Sequence, residues 1–323
     1  MTTWQPLTLW DDDAWDDGPA GRGAAATSPD ATGPREVPSS APAAAAVNEV
    51  VASVALVAAS AAAAAAEQPA VALVAASSAM QQPAEQPAVT LVVPAPGPCS
   101  GPIGVFDLET TGIDVREDRI VTAHVGVLAP DGSVVAARSW FADPGIDIPA
   151  GATAVHGITT ERARSEGRPA PEVVAEVTAA VRELLDAGIP VVAYNAPFDF
   201  SMLRYEGLRH GVAPIDDPSP VIDPLVVDKT YDRYRRGKRT LEAASAHYGV
   251  LLEGAHDAAA DAVAAGRVAQ AIAARFELSL SVVELHTQQI GWARAQAESL
   301  TEYFVKVGRL DPEDALDGSW PIR

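Results

Sequence analysis

A short apolar segment that ends in two acidic residues constrains this sequence more than any other feature. Residues 105–112 read VFDLETTG, and the two acids are Asp107 and Glu109. Because successive side chains of a β-strand point to opposite faces, both acids share one face with Val105, while Phe106 points the other way. Two carboxylates at the end of a buried strand repel each other and lose hydration. A hard divalent cation would relieve both costs, although an ordinary acidic pair at a strand end explains this stretch equally well.

The amino-acid composition changes sharply near residue 100. The first hundred residues carry ten acids against two arginines, among long alanine runs, and the remainder carries 33 acids against 21 lysines and arginines. Bulky side chains are too sparse in residues 1–100 to build a core, so this part is predicted to be a disordered Ala/Pro-rich tail. The net charge of −20 opposes broad nucleic-acid binding but allows a local basic patch or a metal-bearing site.

The tail gives indications about the location of the protein and about a possible binding partner. The uncharged tract 50–66 is mostly Ala and Ser, which favours a soluble segment over a membrane span, and the acidic start at 11–13 is the reverse of a signal peptide. The single cysteine, Cys99, excludes an internal disulfide and fits a cytoplasmic location. Residues 4–10, WQPLTLW, loosely resemble peptides that dock on bacterial sliding clamps, although such short patterns are also common by chance.

Strand and helix patterns alternate from Pro102 onward. The apolar runs predict strands at 102–109, 119–128, 134–141, 191–194 and 221–223. Helical spacing predicts helices at 171–187, 197–210, 240–248, 258–276 and 281–307. Residues 156–159 are predicted to lie in a loop, where Thr159 can cap a short helix. These patterns predict an α/β fold in which a mixed β-sheet is flanked by helices, with a main domain at 101–276 and a C-terminal helical extension at 277–323. The apolar stripe of that extension is Ile290, Ala293, Ala297, Leu300, Phe304 and Val307.

Two further acids are placed on the inward faces of predicted helices. Asp199 precedes apolar residues at i+3 and i+4, and Asp261 begins a stripe at i+4, i+7 and i+11. With Asp107 and Glu109 they make four inward carboxylates that lack a neighbouring Lys or Arg, and such a group requires cations. His256 lies five residues before Asp261, which on one helix would separate the two by ~140°. It can face the same site only if it lies in the loop before the helix.

These residues resemble the DnaQ-like 3′–5′ exonucleases that have a histidine in the third motif. The resembling segments are FDLETTG at 106–112, YNAPFD at 194–199, HDAAAD at 256–261 and HGIT at 156–159, in an ordered set that spans 102–275. The resemblance implies a ribonuclease H-like fold and two Mg²⁺ or Mn²⁺ ions held by Asp107, Glu109, Asp199 and Asp261. It also implies that His256 accepts a proton from the attacking water.

Substrate contacts are expected at two places. By resemblance, Leu108, Thr110 and Thr111 would abut the 3′-terminal nucleotide, with His156, Asn195 and Phe198 lining the same pocket, although Phe198 fits core packing as well. The segment 229–239, KTYDRYRRGKR, is the one dense basic patch of the sequence. Its residues suit single-stranded nucleic acid through phosphate contacts and base stacking, or else form a solvated loop. The residues concerned are Arg233, Arg235, Arg236, Lys238 and Arg239.

The leading hypothesis is therefore a metal-dependent 3′–5′ exonuclease that acts on single-stranded or frayed 3′ ends in proofreading or repair, with DNA favoured over RNA. An exoribonuclease of the same fold remains an alternative, because nothing in these residues decides the sugar. A non-catalytic nucleic-acid-binding protein is the alternative from another class. The complete set of four acids and His256 argues against it, since binding alone does not require all of them.

Overall fold

The computed structural model describes residues 97–252 and 254–323. The predictions for residues 1–96, which concern disorder, the alanine-rich tract and the clamp-like segment 4–10, lie outside the described residues. Within the described part, no helix is both long enough and apolar enough to cross a membrane.

Six strands form one mixed sheet in the order β4-β3-β2-β1-β5-β6. The first three are antiparallel neighbours, whereas β5 runs parallel to β1, β6 runs parallel to β5, and β4 runs parallel to β3. The sheet is therefore a hairpin-linked meander extended by parallel strands on both sides. Its strands are β1 Ile103–Thr110, β2 Ile120–Leu128, β3 Val134–Asp143, β4 Arg168–Pro169, β5 Val191–Val192 and β6 Val221–Ile222.

Eight helices occur in the described residues, and they cover both faces of the sheet. Helices α3 and α4 pack on one face, and α7 packs on the other face against β1 and β2. The helices are α1 Ala150–His156, α2 Thr160–Glu166, α3 Ala170–Asp186, α4 Ala196–His210, α5 Pro224–Tyr231, α6 Leu241–Tyr248, α7 Ala258–Arg275 and α8 Val282–Lys306. This arrangement confirms the predicted mixed sheet flanked by helices.

Strand β1 separates two hydrophobic cores. Phe106 and Leu108 point into the core shared with α3 and α4, and Val105 points into the core beneath α7. Gly266 of α7 lies directly over β1, since an added Cβ would lie 2.5 Å from a Val105 methyl and 2.6 Å from a Leu128 methyl. The absence of a side chain at this position therefore lets α7, and the acid in its first turn, approach the strand closely.

The predicted boundaries agree with the structure for the long elements, and the elements that the sequence patterns missed are short. Helices α3, α7 and α8 begin and end within one residue of their predicted limits. The sequence patterns did not predict α1, α5 or the two-residue strand β4, whereas α2 is the short helix predicted after Thr159, whose side chain caps it by accepting the Arg162 amide. His156, predicted to lie in a loop, is the last residue of α1, which ends at Gly157 in the left-handed conformation.

The predicted apolar stripe of the C-terminal helix was partly wrong. Ile290 and Val307 are exposed, whereas the buried residues of α8 are Leu285, His286 and Gln289. The reason is that α8 lies along the edge strand β6, where polar side chains are needed. The His286 Nδ1 atom accepts a hydrogen bond from the Val221 amide at 3.1 Å, and Gln289 bonds the backbone on both sides of Ile222. The extension is thus packed on the domain and covers the otherwise unpaired sheet edge.

Candidate active site

The end of strand β1 supplies the first two acids of the site. Asp107 and Glu109 are partly buried and share the face of β1 that α7 covers. A β-bulge follows Glu109, where the pairing with β2 shifts by one residue. The bulge ends regular pairing at the point where the carboxylates must converge.

Helix α4 contributes the third acid from its first turn. Asp199 is only 3% exposed, and its Oδ1 atom accepts a hydrogen bond from the backbone amide of Leu108 at 3.1 Å. This bond joins α4 to the backbone of β1 between Asp107 and Glu109. The predicted inward orientation of Asp199 is confirmed.

Helix α7 contributes the fourth acid and orders the histidine that precedes it. Asp257 caps the helix by accepting the amides of residues 259 and 260, and Asp261 follows in the first turn. His256 lies outside the helix with φ 68°, and its backbone amide donates to Asp261 Oδ2 at 3.1 Å. Because His256 lies in the loop, as the sequence required, its ring can face the same site as Asp261.

The ligand-type atoms of Glu109, His256 and Asp261 all lie within 4.8 Å of one another. Burial, and then repulsion from Asp199, Asp261 and Glu109, raises the pKa of Asp107 well above its ordinary value. All four predicted acids and His256 are therefore brought to one place, from one strand, two helices and one loop.

The electrostatic cost of this cluster appears in the other carboxyl groups too. Burial raises the pKa of Glu109 to about 7, with further repulsion from Asp261 and Asp257. Burial also raises the pKa of Asp199, although the amide of Leu108 opposes that shift. The pKa of Asp261 is raised by burial as well, against the opposing effects of His256. Loss of a proton in the metal-free cluster is therefore less favourable than in an isolated carboxyl group.

The donor set of this cluster fits hard divalent cations. Four carboxyl groups converge, and carboxylate oxygens are the ligands that Mg²⁺ and Mn²⁺ prefer. One of these oxygens, Asp261 Oδ1, is buried without any hydrogen-bond partner in the described residues. A buried and unpartnered carboxylate oxygen is costly in a protein unless a cation completes its environment.

His156 and the two threonines lie next to the cluster. Burial lowers the pKa of His156, the backbone of Thr110 opposes that shift, and the charge of His256 adds to it. The Thr110 hydroxyl donates to the Gly112 carbonyl at 2.6 Å. The Thr111 hydroxyl donates to Asp118 at 2.9 Å and is almost fully buried. The hydroxyl groups of both threonines therefore order the loop after β1.

Three of the residues predicted to contact substrate have other roles in the structure. The side chains of Leu108 and Phe198 pack into the core shared with α3 and α4, on the other side of β1. Asn195 is buried at the start of α4 with φ 63°, and its amide donates to Asp223. The structure therefore gives Phe198 the core-packing role that its sequence also allowed, and it gives Asn195 a role in the backbone turn.

The basic segment divides into internal and exposed cations. Arg235 and Arg239 both pair with the fully buried carboxylate of Asp228, at 2.6 and 2.7 Å. Their guanidinium groups are occupied inside the protein, which differs from the predicted contact with phosphate. Arg233, Arg236 and Lys238 are exposed, and Tyr234 beside them is 88% exposed. The ion pairs thus order the base of a loop that presents three cations and one aromatic ring to solvent.

Two residues near the site were not predicted. Asp257 repels Asp107, Glu109 and Asp261, and its position before a predicted helix was an available signal for an N-cap. His124 pairs with Asp107 across β1 and β2, so the two side chains share a face. Burial lowers the pKa of His124 to about 4. No spacing rule in the sequence indicated His124, because only the strand register brings it beside Asp107.

A mixed sheet flanked by helices, with four carboxyl groups and a histidine at the end of its central strand, defines a ribonuclease H-like nuclease fold. Residues 105–269 match the profile of the exonuclease family RNase_T, which covers about half of the chain. The chain therefore belongs to this family of exonucleases, and the resemblance to DnaQ-like exonucleases is confirmed.

Curated relatives match the same region. The chain is 31% identical over 165 residues to a PolC-type DNA polymerase III of Streptococcus sanguinis, covering 51% of this chain and 10% of that protein. It is 32% identical over 164 residues to a DNA polymerase III subunit epsilon-like protein of Rhodobacter capsulatus, covering 50% of this chain and 22% of that protein. The chain thus spans less than a quarter of the length of these two relatives.

A more distant likeness is found among solved structures. The Escherichia coli exonuclease I complex with a dT13 oligonucleotide superposes with a TM-score of 0.46 and 20% identity, covering 54% of this chain and 41% of that chain. At this distance the likeness supports no conclusion about activity.

Proposed function

We propose that this protein is a metal-dependent 3′–5′ exonuclease that hydrolyses the terminal phosphodiester bond of DNA. The convergence of Asp107, Glu109, Asp199, Asp261 and His256 at the end of β1 carries the proposal. Four carboxyl groups alone would repel an anionic substrate, so nucleic-acid binding requires cations between the protein and the phosphate.

The four acids would hold two divalent cations, Mg²⁺ or Mn²⁺. When bound, such a pair stabilises the attacking and leaving oxygens of a phosphodiester displacement. The chain itself holds Asp199 rigidly through the Leu108 amide and Asp261 through the His256 amide. These bonds fix the orientation of two carboxylates before any ligand arrives, as ligating carboxylates require.

His256 acts as the general base in this proposal. Its imidazole accepts a proton from the water that attacks the terminal phosphorus, the bond from phosphorus to the 3′ oxygen breaks, and a nucleoside 5′-monophosphate leaves. The 3′ oxygen of the shortened strand takes up a proton from solvent. The position of His256 supports this role, because the bond from its amide to Asp261 keeps the residue beside the carboxylates.

DNA is favoured over RNA as the substrate. The relatives with 31% and 32% identity carry names of DNA polymerase III proteins, which supports a role on DNA in proofreading or repair. The exposed cations Arg233, Arg236 and Lys238 with Tyr234 suit a single strand, through phosphate contacts and base stacking. A sliding clamp bound through residues 4–10 is proposed as a replication partner.

The test is hydrolysis of a 5′-labelled single-stranded DNA with Mg²⁺ or Mn²⁺ added to metal-stripped protein. The expected result is a ladder that shortens from the 3′ end only when metal is present. Asp107→Asn should reduce hydrolysis to background, and His256→Ala should reduce it by about 10²–10⁴-fold. The matched control is Asp186→Asn, an exposed acid at the end of α3, which should hydrolyse like the wild type.

Two outcomes would contradict the proposal in different ways. Shortening that persists unchanged in Asp107→Asn would exclude this site as the catalytic centre. Binding of DNA without hydrolysis would favour the non-catalytic alternative. A labelled RNA ladder run beside the DNA ladder decides the substrate, and faster shortening of the RNA would replace DNA with RNA in the proposal.

A further inference from the structure

The buried carboxylate of Asp223 joins three parts of the protein. Its Oδ1 atom accepts the amides of Asn195 and Leu225, each at 3.0 Å. Its Oδ2 atom accepts the amide of Ala196 at 3.0 Å and the indole Nε1–H of Trp320 at 3.3 Å. Asp223 thus connects β6, the start of α4 and a segment near residue 320, through four donors to one fully buried side chain.

Helix α4 needs this carboxylate because its own N-cap residue does not cap it. Asn195 is held at φ 63° with no capping hydrogen bond from its side chain, so the first amides of the helix need an outside acceptor. Asp223 supplies that acceptor at residues 195 and 196. Asp199 lies three residues further on, in the same first turn. The position of Asp199 is therefore set by the bonds that hold the start of α4.

The C-terminal segment, defined here as residues 315–323, contacts α4 on both sides of Asp199. Trp320 reaches the start of the helix through Asp223, and the amide of Arg323 donates to the Ser201 hydroxyl at 2.9 Å. Trp320 is buried against the ring of His286, with ring centroids 5.0 Å apart. This segment lies beyond residues 105–269, the region that the family profile covers.

From these contacts we infer that the C-terminal segment positions Asp199 for metal binding, with Trp320 as a positioning residue. The inference rests on the proposed metal-dependent function. Ligating carboxylates depend on the hydrogen bonds behind them, and losing such an outer contact typically weakens metal affinity by about 10- to 100-fold. Here the C-terminal segment acts one step further out: its bonds to Asp223 and Ser201 hold the first turns of α4, and that helix carries Asp199. The support of the metal site thus extends to residues that the family motifs do not contain.

The test compares two conservative variants of the full chain. Trp320→Phe keeps an aromatic ring but removes the donor to Asp223. Trp292→Phe is the matched control, because Trp292 packs edge-on against Tyr231 and not on Asp223. Mn²⁺ binding is measured by calorimetric titration of the metal-stripped proteins. Trp320→Phe is expected to bind Mn²⁺ about tenfold more weakly than the wild type, and Trp292→Phe is expected to bind it normally.

A second variant and a measurement of helix content test whether a loss of folding explains the result. Ser201→Ala removes the other contact of the segment and should also weaken Mn²⁺ binding, while circular dichroism shows a native helix content in every variant. Hydrolysis by Trp320→Phe should recover at high Mn²⁺ concentration, because the metal ligands themselves are intact. Unchanged Mn²⁺ affinity in Trp320→Phe and Ser201→Ala would overturn the inference, and so would equal weakening in Trp292→Phe. If the wild type neither binds Mn²⁺ nor hydrolyses DNA, that result contradicts the proposed function itself, and it contradicts the inference as a consequence.

Discussion

At the scale of single residues, the four acids of the site disfavour one another's charged forms when no metal is bound. Burial and mutual repulsion raise the pKa values of Asp107, Glu109, Asp199 and Asp261 together. A structural ion pair would show an opposite charge that lowers the pKa of its acid, as Arg168 and Arg138 do for Glu176. The contrast indicates that the four acids are arranged to bind cations and not to stabilise the metal-free fold.

The raised pKa of Glu109 predicts a pH dependence for the metal-free protein. Burial raises this pKa from its usual 4.5 to about 7, so the folded protein binds the proton more tightly than the unfolded chain does. The contribution of Glu109 to stability is therefore complete below about pH 4.5 and is lost as the pH rises through about 7. We expect the melting temperature in EDTA to fall across this range, and to recover at pH 7 when Mg²⁺ is added.

Glu109→Gln provides the control for that measurement. The neutral amide does not titrate, so the fall in melting temperature in EDTA should become shallower, and the remaining slope should come from the other three acids. A melting temperature in EDTA that does not change between about pH 5 and pH 7 would contradict the assignment.

At the scale of elements, helix α8 replaces a missing neighbour of the edge strand β6. The Oε1 atom of Gln289 accepts the Asp223 amide at 2.7 Å, and its Nε2 atom donates to the Val221 carbonyl at 3.0 Å. One side chain thus pairs with the strand on the residues either side of Ile222, much as a further strand would. The helix protects the edge from other chains and satisfies backbone groups that would otherwise be buried without partners.

Gln289→Leu should destabilise the protein by about 2–4 kcal/mol, because it leaves a buried amide and a buried carbonyl without partners. The matched control is the next residue, Ile290→Ala. Ile290 is 46% exposed, so its truncation should cost less than about 1 kcal/mol despite the larger loss of apolar volume. Urea unfolding of both variants measures the difference. A larger loss for Ile290→Ala would contradict the orientation of α8 and restore the stripe that the sequence predicted.

At the scale of the whole molecule, charge limits how nucleic acid can be bound. The chain carries a formal net charge of −20, so general attraction to a polyanion is absent. Exposed cations in the basic segment are Arg233, Arg236 and Lys238, since Arg235 and Arg239 are paired with Asp228. Binding should accordingly depend on a few local phosphate contacts and on the metal site.

This small number of cations predicts a weak salt dependence. Three phosphate contacts on a single strand correspond to a slope of about −2 in a plot of log Kobs against log salt concentration. Replacing Arg233, Arg236 and Lys238 together with alanine should bring the slope close to zero. Fluorescence anisotropy with a labelled single strand, and with Ca²⁺ in place of Mg²⁺ to suppress hydrolysis, measures it. A slope several times steeper would show that other cations make the contacts.

Much of the fold and the site could be predicted because the relevant signals are local. The alternation of β1 placed Asp107 and Glu109 on one face, and helical spacing placed Asp199 and Asp261 inward. The loop position of His256 followed from its distance to Asp261 along the chain. Short elements such as β4 and α1 have too few residues to show a period, so no pattern indicated them.

The sequence by itself determined which acids meet, because strand and helix periods direct side chains within a few residues. Only the tertiary structure decided the fate of groups whose partners lie far along the chain. Arg235 and Arg239, which suited phosphate by composition, are held by the buried Asp228. Gln289 lies on a helix whose apolar stripe was predicted without it, and Trp320 lies in a segment to which the sequence assigned no role. Both bond Asp223, which is 66 and 97 residues away along the chain. A buried hydrogen-bonding group takes whichever partner the packed chain brings within reach, and spacing in the sequence does not record that choice.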